Sequence, residues 1–153
     1  MWGEMGNDMC DDDDPFDLLC APQEFSPVEL AAAYVGYLGT GDEDLGWANN
    51  WALDLCLGGR WLDVWRVLQA IPELPEPIPN KILAVVAAGM LEDLLKNAGE
   101  EYVDRVEVLA RDNATFGRML TGVWPSSIDS EVWERVVRFC RSFPDPLDQP
   151  YRY

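Results

Sequence analysis

Apolar residues recur at helical spacing along this chain, and no stretch of useful length alternates as a β-strand would. Leu30, Tyr34 and Leu38 follow one another at four-residue intervals, and the run ends at a Gly-Thr-Gly turn. Such spacing places side chains on one face of an α-helix. The pattern predicts an all-α fold: a single-domain array of about seven short antiparallel helices. A HEAT-like superhelix stays open as an alternative, although we find no strict repeat.

Local signals predict where several helices begin, bend and end. Ser26, Pro27 and Glu29 form a capping box with proline at the first helical position. Asn80 and Asp129 are candidate caps for the fourth and the last helix.

Two glycines are expected to interrupt the central apolar segment. Gly89 is predicted to bend or break the helix that begins near Asn80, and Gly99 to separate it from the next one. In that next helix, Glu101–Arg105 and Glu107–Arg111 have the spacing of outward-facing ion pairs.

Composition divides the chain into three parts. Six of the ten residues from Asp8 to Asp17 are aspartate, which opposes compaction. Four prolines between Pro72 and Pro79 exclude a helix there. We therefore expect a mobile acidic tail (1–24), one helical domain (25–143) that contains a rigid proline-rich strap (72–79), and a C-terminal tail (144–153).

Charge is the strongest functional signal. The chain has 28 acidic and 11 basic residues. The 59 residues before Arg60 contain 13 acids and no base. An acidic surface repels phosphates and anionic lipids, so neither direct nucleic-acid binding nor membrane binding is expected. The expected partner is a protein with a basic surface. The candidate partner-binding residues are Asp11, Asp12, Asp13, Asp14, Glu43 and Asp44.

The residue inventory argues against an enzyme. Histidine is absent, which excludes Ser-His-Asp and Cys-His catalysis. The four cysteines are widely spaced, and the aspartate run does not fit a calcium loop, so neither a metal site nor a cofactor is expected. Acidic neighbours such as Glu92–Asp93 and Asp104 with Glu107 are common by chance in so acidic a protein.

Two further features are interpreted in structural terms. Tryptophans at positions 47, 51, 61 and 65 fit a ligand pocket, but at helical spacing they are more often packing residues. The N-terminus lacks a secretory signal, and the longest apolar stretch, residues 82–91, is half of a membrane span. These features predict a cytoplasmic protein.

Three elements in the second half resemble an uncharacterised bacterial family of helical domains. They are Gly89-Met90-Leu91-Glu92-Asp93-Leu94-Leu95, Val103-Asp104-Arg105-Val106-Glu107 and Gly122-Val123-Trp124, which resemble G-x-L-E-D-L-L, V-D-R-V-E and G-V-W elements. The chain departs from the family pattern at Thr121, where the full G-G-V-W element has glycine, and at Met90, where the family often has proline. The resemblance covers about residues 80–136 and implies a bacterial or phage origin and an all-α fold. It implies no activity. In structural terms, Glu92 and Asp93 are expected to cap a helix, and Asp104–Arg105 to bridge two helices.

Together these features favour a non-enzymatic, acidic inhibitor that binds and neutralises a basic or nucleic-acid-handling protein. An immunity protein or a phage anti-defence protein is of this type. The alternative is a helical scaffold or adaptor whose charge serves only solubility.

Overall fold

The chain folds as a helical protein. The computed structural model describes residues 25–125 and 127–147, of which 78% are helical and none lies in a strand. The all-α prediction is therefore confirmed. The predicted acidic tail, residues 1–24, lies outside the described residues.

Six helices follow one another along the described residues, joined by short turns. They are α1 (Pro27–Thr40), α2 (Gly46–Leu57), α3 (Trp61–Ala70), α4 (Asn80–Val86, Ala87–Leu91 and Glu92–Asp112 in one run), α5 (Ala114–Leu120) and α6 (Ser130–Ser142). Short 3₁₀ turns, Glu43–Leu45 and Ile71–Glu73, precede α2 and follow α3. The predicted count of about seven is not confirmed, because two predicted helices run on as one.

The helix α4 is continuous but bent. Its second segment, Ala87–Leu91, is a π turn centred on Gly89, so this glycine changes the winding and does not end the helix. Leu91 keeps helical angles, with φ −70° and ψ −41°, and no side chain caps the next segment. The expected cap at Glu92 and Asp93 is therefore wrong. Asn80 is the first helical residue after Pro79 and makes no capping bond, so its predicted role as a cap is also wrong.

A kink in α4 lies at Ala98, whose φ of −139° and ψ of 28° are not helical. Gly99 follows it and is buried. A methyl group at Gly99 would lie 3.1 Å from both Cγ atoms of Val132 in α6, so the missing side chain allows α6 to approach closely. The expected separation at Gly99 is thus present as a kink within one helix.

The predicted helix starts at Ser26 and Asp129 are confirmed. The Glu29 amide donates to Ser26 Oγ at 3.1 Å, and the Ser26 amide donates to Glu29 Oε1 at 3.0 Å. At α6, the Glu131 amide donates to Asp129 Oδ1 at 2.9 Å. Such caps satisfy backbone amides that have no partner within the helix.

The buried side chains form one continuous apolar core. Trp65 is buried and meets the Phe116 ring edge-on, with 6.1 Å between ring centroids. Trp47, Trp51 and Trp61 are half-buried and pack against the same core. All four tryptophans are therefore packing residues, as the helical spacing favoured.

The segments predicted as strap and C-terminal tail both pack onto the domain where they are described. Ile78 in the strap lies against the core. Residues 144–146 are exposed, whereas Leu147 is buried and its amide donates to Thr121 Oγ1 at 2.8 Å. Arg118 pairs with Asp145. Residues 148–153 lie outside the described part.

An ion pair joins α4 to α6. Arg135 donates to both carboxylate oxygens of Glu107, at 2.6 and 3.1 Å, and to Asp104 at 2.7 Å. These hydrogen bonds raise the pKa of Arg135. Glu107 is buried, so its predicted outward orientation is wrong, and Arg111 stands 3.9 Å away as a minor partner. Asp104 bridges helices as expected.

Arg105 differs from its two predicted roles. It lies over the Tyr102 ring, 5.1 Å from the centroid, and no ion pair joins it to Glu101 in the described structure. Across residues 25–125 and 127–147, no helix combines the length and the apolar character that crossing a membrane requires.

We expect Gly117→Ala to destabilise the fold by about 1–3 kcal/mol, because overpacking a core forces neighbours to move. The new methyl group would lie 2.8 Å from the Ala110 carbonyl oxygen and 2.6 Å from the Phe143 ring. The control is Gly39→Ala in α1, where a methyl group meets nothing within 4 Å. It should be neutral or stabilising. Urea unfolding of both variants tests this, and equal midpoints would contradict the packing.

We expect Glu107→Gln to lower the free energy of unfolding by about 1–3 kcal/mol. Removing one partner of a buried pair leaves the other charge poorly compensated. The loss stays below that of a fully buried pair, because Arg135 is partly exposed and keeps Asp104. Glu101→Gln, at an exposed position of the same helix, is the control. Chemical denaturation measures both, and a Glu107→Gln midpoint equal to the control's would argue against a stabilising ion pair.

Candidate functional site

Two of the six predicted partner-binding residues lie in the described structure. Glu43 and Asp44 are exposed in the 3₁₀ turn before α2. Asp42 holds this turn, since its Oδ1 accepts a hydrogen bond from the Asp44 amide at 3.0 Å. The turn therefore presents neighbouring carboxylates to solvent. Asp11–Asp14 fall outside the described residues.

The helix that follows this turn exposes apolar side chains. Leu53 and Leu57 lie one helical turn apart on α2 and are 54% and 68% exposed. Asp54 stands between them in sequence. Residues 25–59 carry five acids and no base, and none of these acids forms an ion pair within the described part. We call Glu43, Asp44, Leu53, Asp54 and Leu57 the α2 surface.

A small pocket of about 130 Å³ opens beside the α2 surface. Polar side chains from three helices meet there: Tyr34 of α1, Asn49 and Cys56 of α2, and Asp93 of α4. Leu53 and Met90 contribute apolar walls. The π turn of α4 supplies Gly89 and Met90, so the pocket lies at the place where the winding of that helix changes. π turns occur frequently at functional sites.

Tyr34 is the most unusual member of the pocket. Only 6% of the residue is exposed, yet across the described residues its hydroxyl has no hydrogen-bond partner. The hydroxyl oxygen would lie 4.0 Å from a methyl group at Gly89, which places it at the pocket wall. Burial, followed by the neighbouring Cys56 and Asp93, raises the pKa of Tyr34 to about 12. A buried hydroxyl without a partner is costly to keep.

Cys56 stays a thiol at neutral pH. Burial is the largest cause that raises its pKa to about 12, and the Asp93 charge and a hydrogen bond to Asp93 add to it. The nucleophile in cysteine chemistry is the thiolate, so this thiol is inert. Asp93 has one basic neighbour, Lys96, at 3.9 Å. The pocket thus offers hydrogen-bonding atoms and a carboxylate but no activated nucleophile.

No metal centre is visible in the described part of the chain, where no three side chains of metal-binding type come together. A second cavity of about 230 Å³ is lined by Arg111, Arg135 and Arg138 next to Glu107. It borders the ion pair between α4 and α6, which already accounts for Arg135 and Glu107 as structural groups.

The pocket was not predicted from the sequence. Tyr34 was assigned to a core face, and Asp93 to a helix cap. The sequence signal that marks the place is the Gly89–Asp93 element, but Tyr34, Asn49 and Cys56 join it only through tertiary packing. No local pattern indicates that a buried hydroxyl lacks a partner.

We expect alkylation of Cys56 by iodoacetamide to accelerate about tenfold per pH unit from pH 8 to pH 10 without levelling off. The reason is that the pKa of the Cys56 thiol is about 12. Well below that value, the fraction of reactive thiolate rises about tenfold with each pH unit. Asp93→Asn removes the negative charge that helps to hold the proton on Cys56, so it lowers the pKa of the thiol and speeds alkylation. Asp54→Asn on α2 is the control. Peptide mapping in a Cys10→Ser, Cys20→Ser background measures the rate, and a plateau near pH 9 would disprove the assignment.

Comparison with known proteins identifies a family but no activity. No curated protein and no solved structure matches the chain. The model of a family of unknown function, DUF6869, matches residues 39–142, which include α2 to α6 and the pocket residues Asn49, Cys56 and Asp93. Because that match covers more than half of the sequence, the chain belongs to the family of unknown function DUF6869.

Proposed function

We propose that this chain is a non-enzymatic inhibitor that binds and neutralises a protein with a basic surface, such as a nucleic-acid-handling protein. The observation that carries the proposal is that the acidic residues between positions 25 and 59 form no ion pair in the described part of the chain. Five acids and no base occupy residues 25–59, and Glu43 and Asp44 are exposed in front of α2. Unneutralised charge of one sign steers a partner of opposite sign to the surface.

Apolar exposure next to these acids supports a protein partner in particular. Leu53 and Leu57 are exposed on α2 at helical spacing. Protein interfaces combine an apolar centre with a polar rim, and the α2 surface has both components. Charge that served only solubility would not require exposed leucines on the helix that follows it.

The chemistry of the pocket agrees with a role in binding. The thiol of Cys56 and the phenol of Tyr34 both keep their protons at neutral pH, since their pKa values are raised to about 12. Groups in that state donate and accept hydrogen bonds but do not attack a substrate. No cofactor is needed for such a role.

The finer parts of the proposal rest on size, on charge and on the resemblance to a bacterial family of helical domains. We infer an immunity protein or a phage anti-defence protein that acts in the cytoplasm of a bacterium, without direct contact to nucleic acid or membrane. The tail carboxylates Asp11–Asp14 are proposed to extend the acidic surface. A HEAT-like arrangement of the helices stays a prediction, and binding through α2 does not require it.

We expect charge reversal of the acidic residues to slow association with the partner about tenfold or more at low salt. The partner is obtained by affinity capture from the native host and identified by mass spectrometry. The variant replaces Asp11–Asp14, Glu43 and Asp44 with lysine. Association of the wild type should also fall steeply between 50 mM and 500 mM salt, because salt screens charges over about 8–10 Å near physiological strength. Stopped-flow measurements give both rates.

Glu73→Lys and Glu76→Lys form the control, since both residues are exposed but lie outside the base-free part of the chain. The captured protein should lose its own activity when the wild-type chain is added. An association rate that neither the reversal nor salt changes would support the alternative, a scaffold or adaptor whose charge serves solubility alone.

A further inference from the structure

We propose that the pocket between α1, α2 and α4 receives the cationic end of a basic side chain, arginine in preference to lysine, from the protein partner. The inference rests on the proposed function, because it assigns one contact within that interface. The residues that would receive the cation are Tyr34, Asn49 and Asp93.

The Tyr34 hydroxyl is the observation that points to a ligand. It is buried, lies at the pocket wall beside Gly89, and has no hydrogen-bond partner in the described part of the chain. Since buried polar groups are nearly always satisfied, this hydroxyl requires an explanation. A ligand with N–H groups supplies the missing partner, because a phenol oxygen accepts hydrogen bonds.

Charge selects a cation from among such ligands. Asp93 contributes a carboxylate to the pocket wall, and its basic neighbour Lys96 approaches no closer than 3.9 Å. No basic residue lines the pocket, and the α1 and α2 walls come from the part of the chain that has no base. The Asp93 carboxylate repels an anion, whereas a cation gains from it.

Size and shape favour a guanidinium group. A volume of about 130 Å³ suits the end of one long side chain but not a larger molecule. The acceptors stand on three helices, and a planar guanidinium directs five N–H donors outward to reach separated acceptors. Leu53 and Met90 line the walls and can pack against the methylene groups of such a side chain.

The location ties the pocket to the α2 surface. Leu53 lines the pocket and is also one of the two exposed leucines. Asp44 precedes Asn49, the first residue of α2 that lines the pocket, by five residues, or about 7–8 Å along a helix. A partner held by the acidic turn can therefore place a basic side chain in the pocket, and arginine is a common anchor at the centre of interfaces.

The pocket is tested first with a defined probe, Nα-acetyl-arginine amide, added to the full chain and followed by amide chemical shifts in NMR. We expect saturable shifts around Asn49, Leu53 and Met90 with a dissociation constant of about 1–10 mM, as befits a small fragment. Nα-acetyl-norleucine amide, which has the stem without the charge, should bind at least tenfold more weakly. Equal shifts with both probes, or no saturable shift at 50 mM, would overturn the inference.

Three variants separate the pocket from the general charge of the protein. Asp93→Asn should weaken binding of the arginine probe about tenfold, and Tyr34→Phe about threefold. Gly89→Ala places a methyl group 4.0 Å from the Tyr34 hydroxyl and meets no other atom, so it narrows the pocket and should keep the fold. The control is Asp112→Asn, at an exposed position of the same helix. Unchanged probe binding in all three pocket variants would refute the assignment.

The captured partner distinguishes the two levels of the proposal. If the pocket receives a partner side chain, Asp93→Asn and Gly89→Ala should raise the dissociation rate about tenfold or more and leave the association rate nearly unchanged. Dissociation rates equal to wild type, together with a strong effect of the acidic reversal, would reject the pocket and keep the inhibitor proposal. If charge reversal of the acidic residues leaves the association rate with the partner unchanged, the inhibitor proposal is rejected, whether or not the arginine probe binds the pocket.

Discussion

The bending of α4 is the constraint on which the rest of the structure depends. This run extends from Asn80 to Asp112, and a straight α-helix of that length would measure about 50 Å. A compact domain of this size is only about 35 Å across. The run is interrupted at two points: the π turn around Gly89 changes its winding, and a kink lies at Ala98, next to Gly99. The π turn supplies residues of the pocket, and Gly99 allows close contact with Val132 of α6.

Local sequence signals predict the helix starts because they depend on few neighbouring residues. The capping bonds join Ser26 to Glu29 and Asp129 to Glu131. Both partners of each bond lie within three residues of one another, so a short stretch of sequence is enough to predict them. Interactions across the fold cannot be predicted in this way. Glu107 finds Arg135 across 28 residues, and only the packing of α6 on α4 makes the buried position of Glu107 favourable. The nearer Arg111 fits the helical pattern but is the weaker partner.

The residues of the candidate site differ in the same way: some could be predicted from the sequence and others depend on packing across the fold. Glu43 and Asp44 were predicted from charge alone, and exposure of a charged turn follows from composition. Tyr34 has the spacing of a core residue and is buried as one, yet its hydroxyl has no partner in the described residues. That deficit is a property of the neighbouring helices. Gly89 adds to the open space beside the hydroxyl, because a methyl group at that position would lie 4.0 Å from the hydroxyl oxygen.

The two halves of the chain use acidic residues differently. After Arg60, Glu107 and Asp104 form ion pairs that join α4 to α6, and Asp145 pairs with Arg118 of α5, so their charge stabilises the fold. The five acids of residues 25–59 form no ion pair within the described part of the chain, so their field is directed at the surroundings. Self-repulsion of unpaired charge destabilises a compact state, so keeping it there has a cost. The Tyr34 hydroxyl carries a similar cost. Both uncompensated features adjoin α2, and a bound cationic partner would relieve both at once.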